Sequence, residues 1–236
     1  MSTLVIARKG RRIAIAADSQ TTCGNLCSRS EPKIVAVRDS FVGFTGASAL
    51  ALIFRDIVER RDFEFDFSSR VAVFRTFLQL HERLKDAYYI ETQEGRNQPL
   101  ESSQWHCLVA SPAGAFNVDS YRCVREMSEV WAHGSGGDIA LGAMHAVYSL
   151  HDDPEAIAAA GIHAACTFDI YTAMPMQLHS VEMAEPRHAP PSPGPSPEQE
   201  PPHSNGRNGN GTGHGTTPGA EVEQAAAGAE PSCLAS

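Results

Sequence analysis

Apolar residues along the first 45 positions come in short runs broken by turn formers. Leu4-Val5-Ile6-Ala7, Ile13-Ala14-Ile15-Ala16-Ala17, Ile34-Val35-Ala36-Val37 and Phe41-Val42-Gly43-Phe44 are separated by Gly, Asn, Asp and Ser. That pattern predicts strands over 3–9, 12–17, 33–38 and 41–45, paired as antiparallel hairpins. The period then lengthens. Leu50, Phe54, Ile57 and Val58 recur at helical spacing between Ala47 and Arg61, and Phe74, Phe77, Leu78, Leu84 and Tyr88 do so between Val71 and Tyr89. Strands are predicted again over Trp105–Ala110, Ala115–Val118 and Glu129–Ala132. Two helices follow, Asp138–Leu150 and Pro154 to about Phe168, and Met176–Met183 closes the series as a strand. Strands, two helices, strands, two helices and a strand fit an α+β fold, a four-layer αββα sandwich with helices on both outer faces.

The candidate chemistry begins at the chain start. If Met1 is removed, as a small second residue generally permits, Ser2 becomes a hydroxyl nucleophile with its own α-amine beside it as base. An α-amine titrates near about 7.7 to 8.0, so a useful fraction is neutral at pH 7. A nearby ammonium would push it lower and stabilise negative charge growing on the hydroxyl oxygen. Lys33, the only lysine between Lys9 and Lys85, is the candidate, with Asp18 as the carboxylate that holds it in place.

Ser2-Thr3-Leu4-Val5 through Ile15-Ala16-Ala17-Asp18-Ser19-Gln20-Thr21-Thr22 resembles the opening of proteasome β-type subunits and HslV-type peptidases, of the N-terminal-nucleophile hydrolase superfamily. Further matches follow in the same order: Gly24-Asn25, Lys33-Ile34-Val35, Gly43-Phe44-Thr45-Gly46 before a helix, His133-Gly134-Ser135-Gly136-Gly137, and Asp169-Ile170-Tyr171-Thr172. The likeness spans roughly residues 2 to 183.

The resemblance implies roles residue by residue. Ser2 stands where the family has a catalytic threonine; it keeps the hydroxyl but lacks the methyl that restricts rotation, so activity is expected to survive with looser positioning. Asp18 and Lys33 match the supporting carboxylate and lysine. Gly46 matches the glycine whose backbone N–H helps form an oxyanion hole. Ser135, Asp169 and Thr172 match the polar residues that fix the amine and relay its proton. Thr21, Glu31, Val35, Phe44 and Ala47 fall where the family lines its primary specificity pocket, and a glutamate there would favour basic side chains. A monovalent cation at backbone carbonyls near Cys166, Asp169 and Thr172 is a further implication, one that leaves no mark in side chains.

Singly, each feature admits a plainer role. Asp18 could cap a turn, Lys33 could be a solvated surface lysine, and Ser135 or Asp138 could simply cap a helix. Their common order and spacing favour the catalytic reading. It predicts a peptidase assembled as stacked homo-oligomeric rings that enclose the active sites, with peptides or unfolded proteins as substrates. An ATP-dependent unfoldase would be a separate partner, because no Gly-x-x-x-x-Gly-Lys-Ser/Thr loop is present. Two alternatives stand beside it: a dedicated small-amide hydrolase, and a catalytically silent ring scaffold if Met1 is retained.

Composition sets the remaining bounds. Residues 1–183 suffice for one catalytic domain with a sizeable core. From Ala184 to Ser236 the chain holds ten of its fifteen prolines and almost no large apolar residues, so this tail is expected to be disordered. A net charge of -9 argues against nonspecific nucleic-acid binding. No run approaches a membrane span and no secretory leader is evident, so a cytoplasmic protein is expected. Six cysteines form no Cys-x-x-Cys pair, and His106, His133, His145 and His163 lack paired ligand spacing. No metal site or cofactor is expected, and these histidines read as packed or surface residues.

Overall fold

The structure, a computed structural model, describes residues 2–185 apart from 30, 48 and 94. Met1, whose removal is expected, and residues 186–236 of the expected disordered tail lie outside the described residues. In chain order the first elements are β1 (Thr3–Lys9), β2 (Arg12–Asp18), β3 (Thr21–Cys23), β4 (Leu26–Ser28), β5 (Ile34–Val37), β6 (Ser40–Gly46), α1 (Ala49–Arg60) and α2 (Arg70–Tyr88). There follow β7 (Trp105–Ser111), β8 (Gly114–Val118), β9 (Val124–Met127), β10 (Val130–Gly134), α3 (Gly137–Val147), α4 (Pro154–Phe168) and β11 (Met176–Glu182). One sheet runs β10-β1-β2-β11, the other β5-β6-β7-β8-β9, and β3-β4 is a separate hairpin. Each pair of neighbouring strands is antiparallel.

Side-chain alternation along the strands decides the layers. Leu4, Ile6, Ile13 and Ile15 meet Ile34, Leu108, Ala110 and Ala115 in an apolar layer between the sheets. The intervening Val5, Ala7, Ala14 and Ala16 face the other way, onto Ala140 and Met144 of α3 and Ile157 and Ile162 of α4. On the outer face of the second sheet Phe44, Cys107, Val109 and Phe116 pack with Phe54, Ile57, Phe77 and Leu80 of α1 and α2. Because both faces of β1 and β2 are covered, these strands read as unbroken apolar runs. The result is the expected αββα sandwich.

Helix ends follow local chemistry. The Ser69 hydroxyl accepts the Ala72 N–H at 3.2 Å to start α2, and Asp153 with Pro154 behind it starts α4. Some boundaries differ from the sequence pattern. α1 starts two residues later than predicted, at Ala49, and α3 stops at Val147, the Tyr148 and Leu150 N–H groups turning back in three-residue steps. The hairpin β3-β4 and the edge strand β9 were not predicted: Thr-Thr-Cys, Leu-Cys-Ser and Val-Arg-Glu-Met carry no apolar alternation. The folded part also runs slightly past Met183, since the Ala184 N–H donates to the Pro112 carbonyl at 2.8 Å.

Candidate active site

Alternation along β1 separates the first two hydroxyls of the chain. Ser2 continues the Leu4–Ile6 side, toward the open end between the sheets, and Thr3 takes the Val5 side, toward the helices. Ser2 accordingly lines two cavities. Thr3 is fully buried. Its Oγ1 accepts the Gly136 N–H at 3.2 Å and lies 2.6 Å from the Thr172 hydroxyl. The Ser2 carbonyl is itself fixed, accepting the Ser135 N–H at 3.0 Å. The approach is so close that a Cβ on Gly134, whose φ is +97°, would fall 1.7 Å from that oxygen.

Lys33 is bound into the same corner. Its Nζ donates to Asp18 Oδ1 at 2.7 Å and to the Gln20 carbonyl at 2.6 Å. Both side chains are buried, Asp18 completely. Asp18 also accepts the N–H groups of Thr3 at 2.8 Å and Gln20 at 2.9 Å, so its remaining lone pairs are occupied by backbone. Burial pulls the lysine below its ordinary titration range, and the Asp18 charge opposes that pull. Gln177 of β11 secures the lysine from behind, its Oε1 accepting the Lys33 N–H at 2.6 Å and the Ile34 N–H at 3.2 Å. With two of three ammonium protons engaged, the third is available to the cavity that Lys33 and Ser2 share.

A second cluster closes the opposite side. The Asp169 carboxylate accepts the Ser135 hydroxyl at 2.7 Å and the Thr172 hydroxyl at 2.6 Å. Burial alone would raise the Asp169 titration point, but these hydrogen bonds outweigh it and hold the carboxyl below its usual range. Ser135 therefore does not cap α3; Gly136 occupies the cap position without a side-chain bond. The Asp169 carbonyl, one of those at which the resemblance implies a monovalent cation, accepts the Thr172 N–H at 3.2 Å.

Thr21, Glu31, Phe44, Gly46 and Ala47 line one cavity with Ser2 and Lys33, of about 300 Å³. Val35 does not: it is buried in the layer between the second sheet and its helices. Arg55 of α1, absent from the sequence reading, does line it, its guanidinium donating to the Pro32 carbonyl at 3.4 Å. The cavity thus carries charges of both signs. Gly46 has φ +136°, and a Cβ there would lie 2.7 Å from the Gln104 carbonyl. The neighbouring chain at Gln104 and Trp105 by itself requires a glycine here.

Sequence reading also missed Thr3, Gln20 and Gln177. Polar side chains at or just beyond the ends of apolar strands were the available signal. One further cluster has the look of a catalytic triad: the Ser103 Oγ lies 2.9 Å from His81 Nδ1, and His81 Nε2 lies 3.1 Å from Glu101. Ser103 is fully buried and accepts the Arg122 guanidinium at 2.9 Å, so this set fastens the segment before β7 to α2. A larger cavity, about 790 Å³, lies by Arg38, Asp66, Ser111 and Met183, far along the chain from Ser2 and without a nucleophile–base pair. His145 and His163 are exposed, whereas His106 and His133 line the second cavity at Ser2. Among the described residues no cluster of three or more His, Cys, Asp or Glu could hold a metal, and no helix is long and apolar enough to cross a membrane.

This sandwich is the N-terminal-nucleophile hydrolase fold, and solved structures share it. BPH from Thiobacillus denitrificans is similar at 36% identity and TM-score 0.72, over 78% of this chain and 100% of that one. BPH in complex with epoxomicin is similar at 37% identity and TM-score 0.71, over 77% of this chain and 99% of that one. Eukaryotic HslV from Trypanosoma brucei shares the fold at 22% identity and TM-score 0.59, over 76% of this chain and 99% of that one. No family model matches the sequence. The identity to BPH across its whole length places the chain in the proteasome β-type and HslV-like family of bacterial proteasome homologues.

Proposed function

We propose that the chain is a self-compartmentalising peptidase that cuts peptide bonds with Ser2 as nucleophile after removal of Met1. The observation that carries this reading is the position of Ser2, at the junction of two cavities and beside the buried Lys33–Asp18 pair. The Ser2 hydroxyl attacks the scissile carbonyl while the freed α-amine takes its proton. The Gly46 N–H receives the oxyanion, and the Lys33 charge favours both the neutral amine and the developing negative charge. Collapse of the tetrahedral species passes the proton to the leaving amine and leaves an ester on Ser2. Water then repeats the sequence and releases the acid. Ser135, Asp169, Thr172 and Thr3 are positioning residues that hold the chain start.

Stacked homo-oligomeric rings enclosing these sites, an unfoldase partner that feeds them and unfolded protein substrates belong to the same proposal. The similarity to BPH supports it. The test is intact mass followed by treatment with epoxomicin: a chain starting at Ser2, modified at Ser2 and losing peptide hydrolysis in proportion, is expected. A chain that retains Met1 and turns over no peptide would overturn the reading in favour of a silent scaffold.

A further inference from the structure

Ser2, Thr45 and Gly46 form the wall between two cavities. The second, of about 440 Å³, lies beyond Gly46 and is lined in addition by Gln104, Trp105, His106, Ser120, His133, Gly134 and Ser135. Strand register explains its lining. His133 stands directly opposite Leu4 and Trp131 opposite Ile6, so both share the face of β1 that looks into the layer between the sheets. His106 precedes Leu108 of that layer by two positions, and Asn117 is paired with Leu108. The apolar layer therefore ends, where it reaches Ser2, in two histidines and an asparagine.

These groups form a built surface. The His106 and His133 rings stack with centroids 4.7 Å apart, and His133 Nε2 lies 2.5 Å from the Asn117 Oδ1. Burial, with His106 and Arg125 nearby, pushes His133 down to about 3, so its ring is neutral at ordinary pH. No carboxylate, lysine or arginine lines this cavity, whereas Glu31, Lys33 and Arg55 line the other.

We propose that the cavity beyond Gly46 is the leaving-group subsite, and that His106 and His133 make it select uncharged hydrogen-bonding side chains immediately after the scissile bond. The inference rests on Ser2 as nucleophile with the acyl side chain in the cavity of Thr21 and Phe44. A peptide so placed must carry its other half across Ser2, and the space there is this cavity. An apolar side chain would strip water from the buried polar groups without replacing it. Serine, threonine, asparagine or glutamine would supply partners. A preference on the order of tenfold over leucine is expected.

The experiment competes peptides identical up to the scissile bond and bearing Ser, Asn, Leu, Asp or Lys after it, read by mass spectrometry within one reaction, so the ratio does not depend on overall rate. Ser and Asn should lead in the parent protein, and His106→Phe and His133→Phe, which keep a ring for stacking, should lose the preference. Equal cleavage by the parent, or an undiminished preference in both variants, would overturn the proposal. Should the variants not fold, capture of the Ser2 ester decides it: an acceptor amine attacks the acyl carbon and forms an amide, and its proton passes through the α-amine to the departing Ser2 Oγ, which regenerates the hydroxyl. Serinamide should capture more ester than leucinamide, and equal capture would overturn the subsite. No turnover of any peptide or ester would instead sink the nucleophile reading, and this proposal with it.

Discussion

The Thr3 hydroxyl lies 2.6 Å from the Thr172 hydroxyl, across 169 positions of sequence, while Ser2 next to it faces the cavities on the other side of the strand. Two adjacent hydroxyls are thereby given different work. Ser2→Ala should remove peptide hydrolysis by roughly 10⁴-fold or more and leave the fold intact. Thr3→Val keeps the size of the side chain and removes its hydrogen bonds, leaving the buried Gly136 N–H without an acceptor. It should cost about 1 to 3 kcal/mol of stability while epoxomicin still labels Ser2. Thermal unfolding and peptide mapping of the adduct check both; labelling at Thr3 would reverse the assignment.

Lys33→Ala should raise the barrier by about 3 to 4 kcal/mol, the scale on which one strong charge-stabilising group acts. Stability is expected to fall too, because Asp18 would remain buried without its countercharge. Asp18→Asn in the same background should restore part of the stability and none of the rate. A single-turnover assay beside chemical denaturation separates the two effects. A Lys33→Ala rate within a few fold of the parent would make the lysine structural only.

How much of this was legible beforehand depends on which force writes each feature. β1 and β2 could be read because both of their faces are buried, and the Ser2, Asp18, Lys33 set could be read because a hairpin brings Asp18 back to the chain start. β9 escaped because an edge strand needs little apolar alternation; its backbone pairing with β8 suffices. Arg55 escaped because nothing in a helical pattern tells which polar residue of α1 looks over the cavity. Val35 was assigned to the pocket by family resemblance alone, but alternation turns it to the helices.

Asp169 gives a pH dependence whose sign can be worked out. Its folded titration point lies below the unfolded one, so the hydrogen-bonded carboxylate favours the folded state above the unfolded value of about 3.9 and loses that contribution as pH falls through the folded one. Melting temperatures measured from pH 7 down to 3 should therefore fall more steeply below about pH 4 in the parent than in Asp169→Asn. Parallel curves would show that the carboxylate does not stabilise the fold.

Arg55 and Glu31 share one cavity, so they should oppose each other in substrate choice. Arg55→Gln should shift cleavage toward basic residues before the scissile bond, and Glu31→Gln toward acidic ones. Fluorogenic peptides differing only at that residue read the shift as a ratio of kcat/KM. Identical ratios in all three proteins would place both charges outside the specificity pocket.

The last prediction concerns the end of the chain. β11 completes the first sheet by pairing with β2 from Met176 to Glu182, and the closing contacts fall just beyond it. The Met183 N–H donates to the Arg11 carbonyl at 2.7 Å, and Arg11 pairs with Glu185 at 3.2 Å. Every candidate active-site residue precedes these contacts. Truncation after Glu185 should then leave peptide hydrolysis, melting temperature and oligomeric size unchanged, whereas truncation before Met176 should expose β2 as an edge and prevent folding. Light scattering and peptide assays on the two truncated proteins decide it. Loss of assembly on removing residues 186–236 alone would assign that segment a structural role.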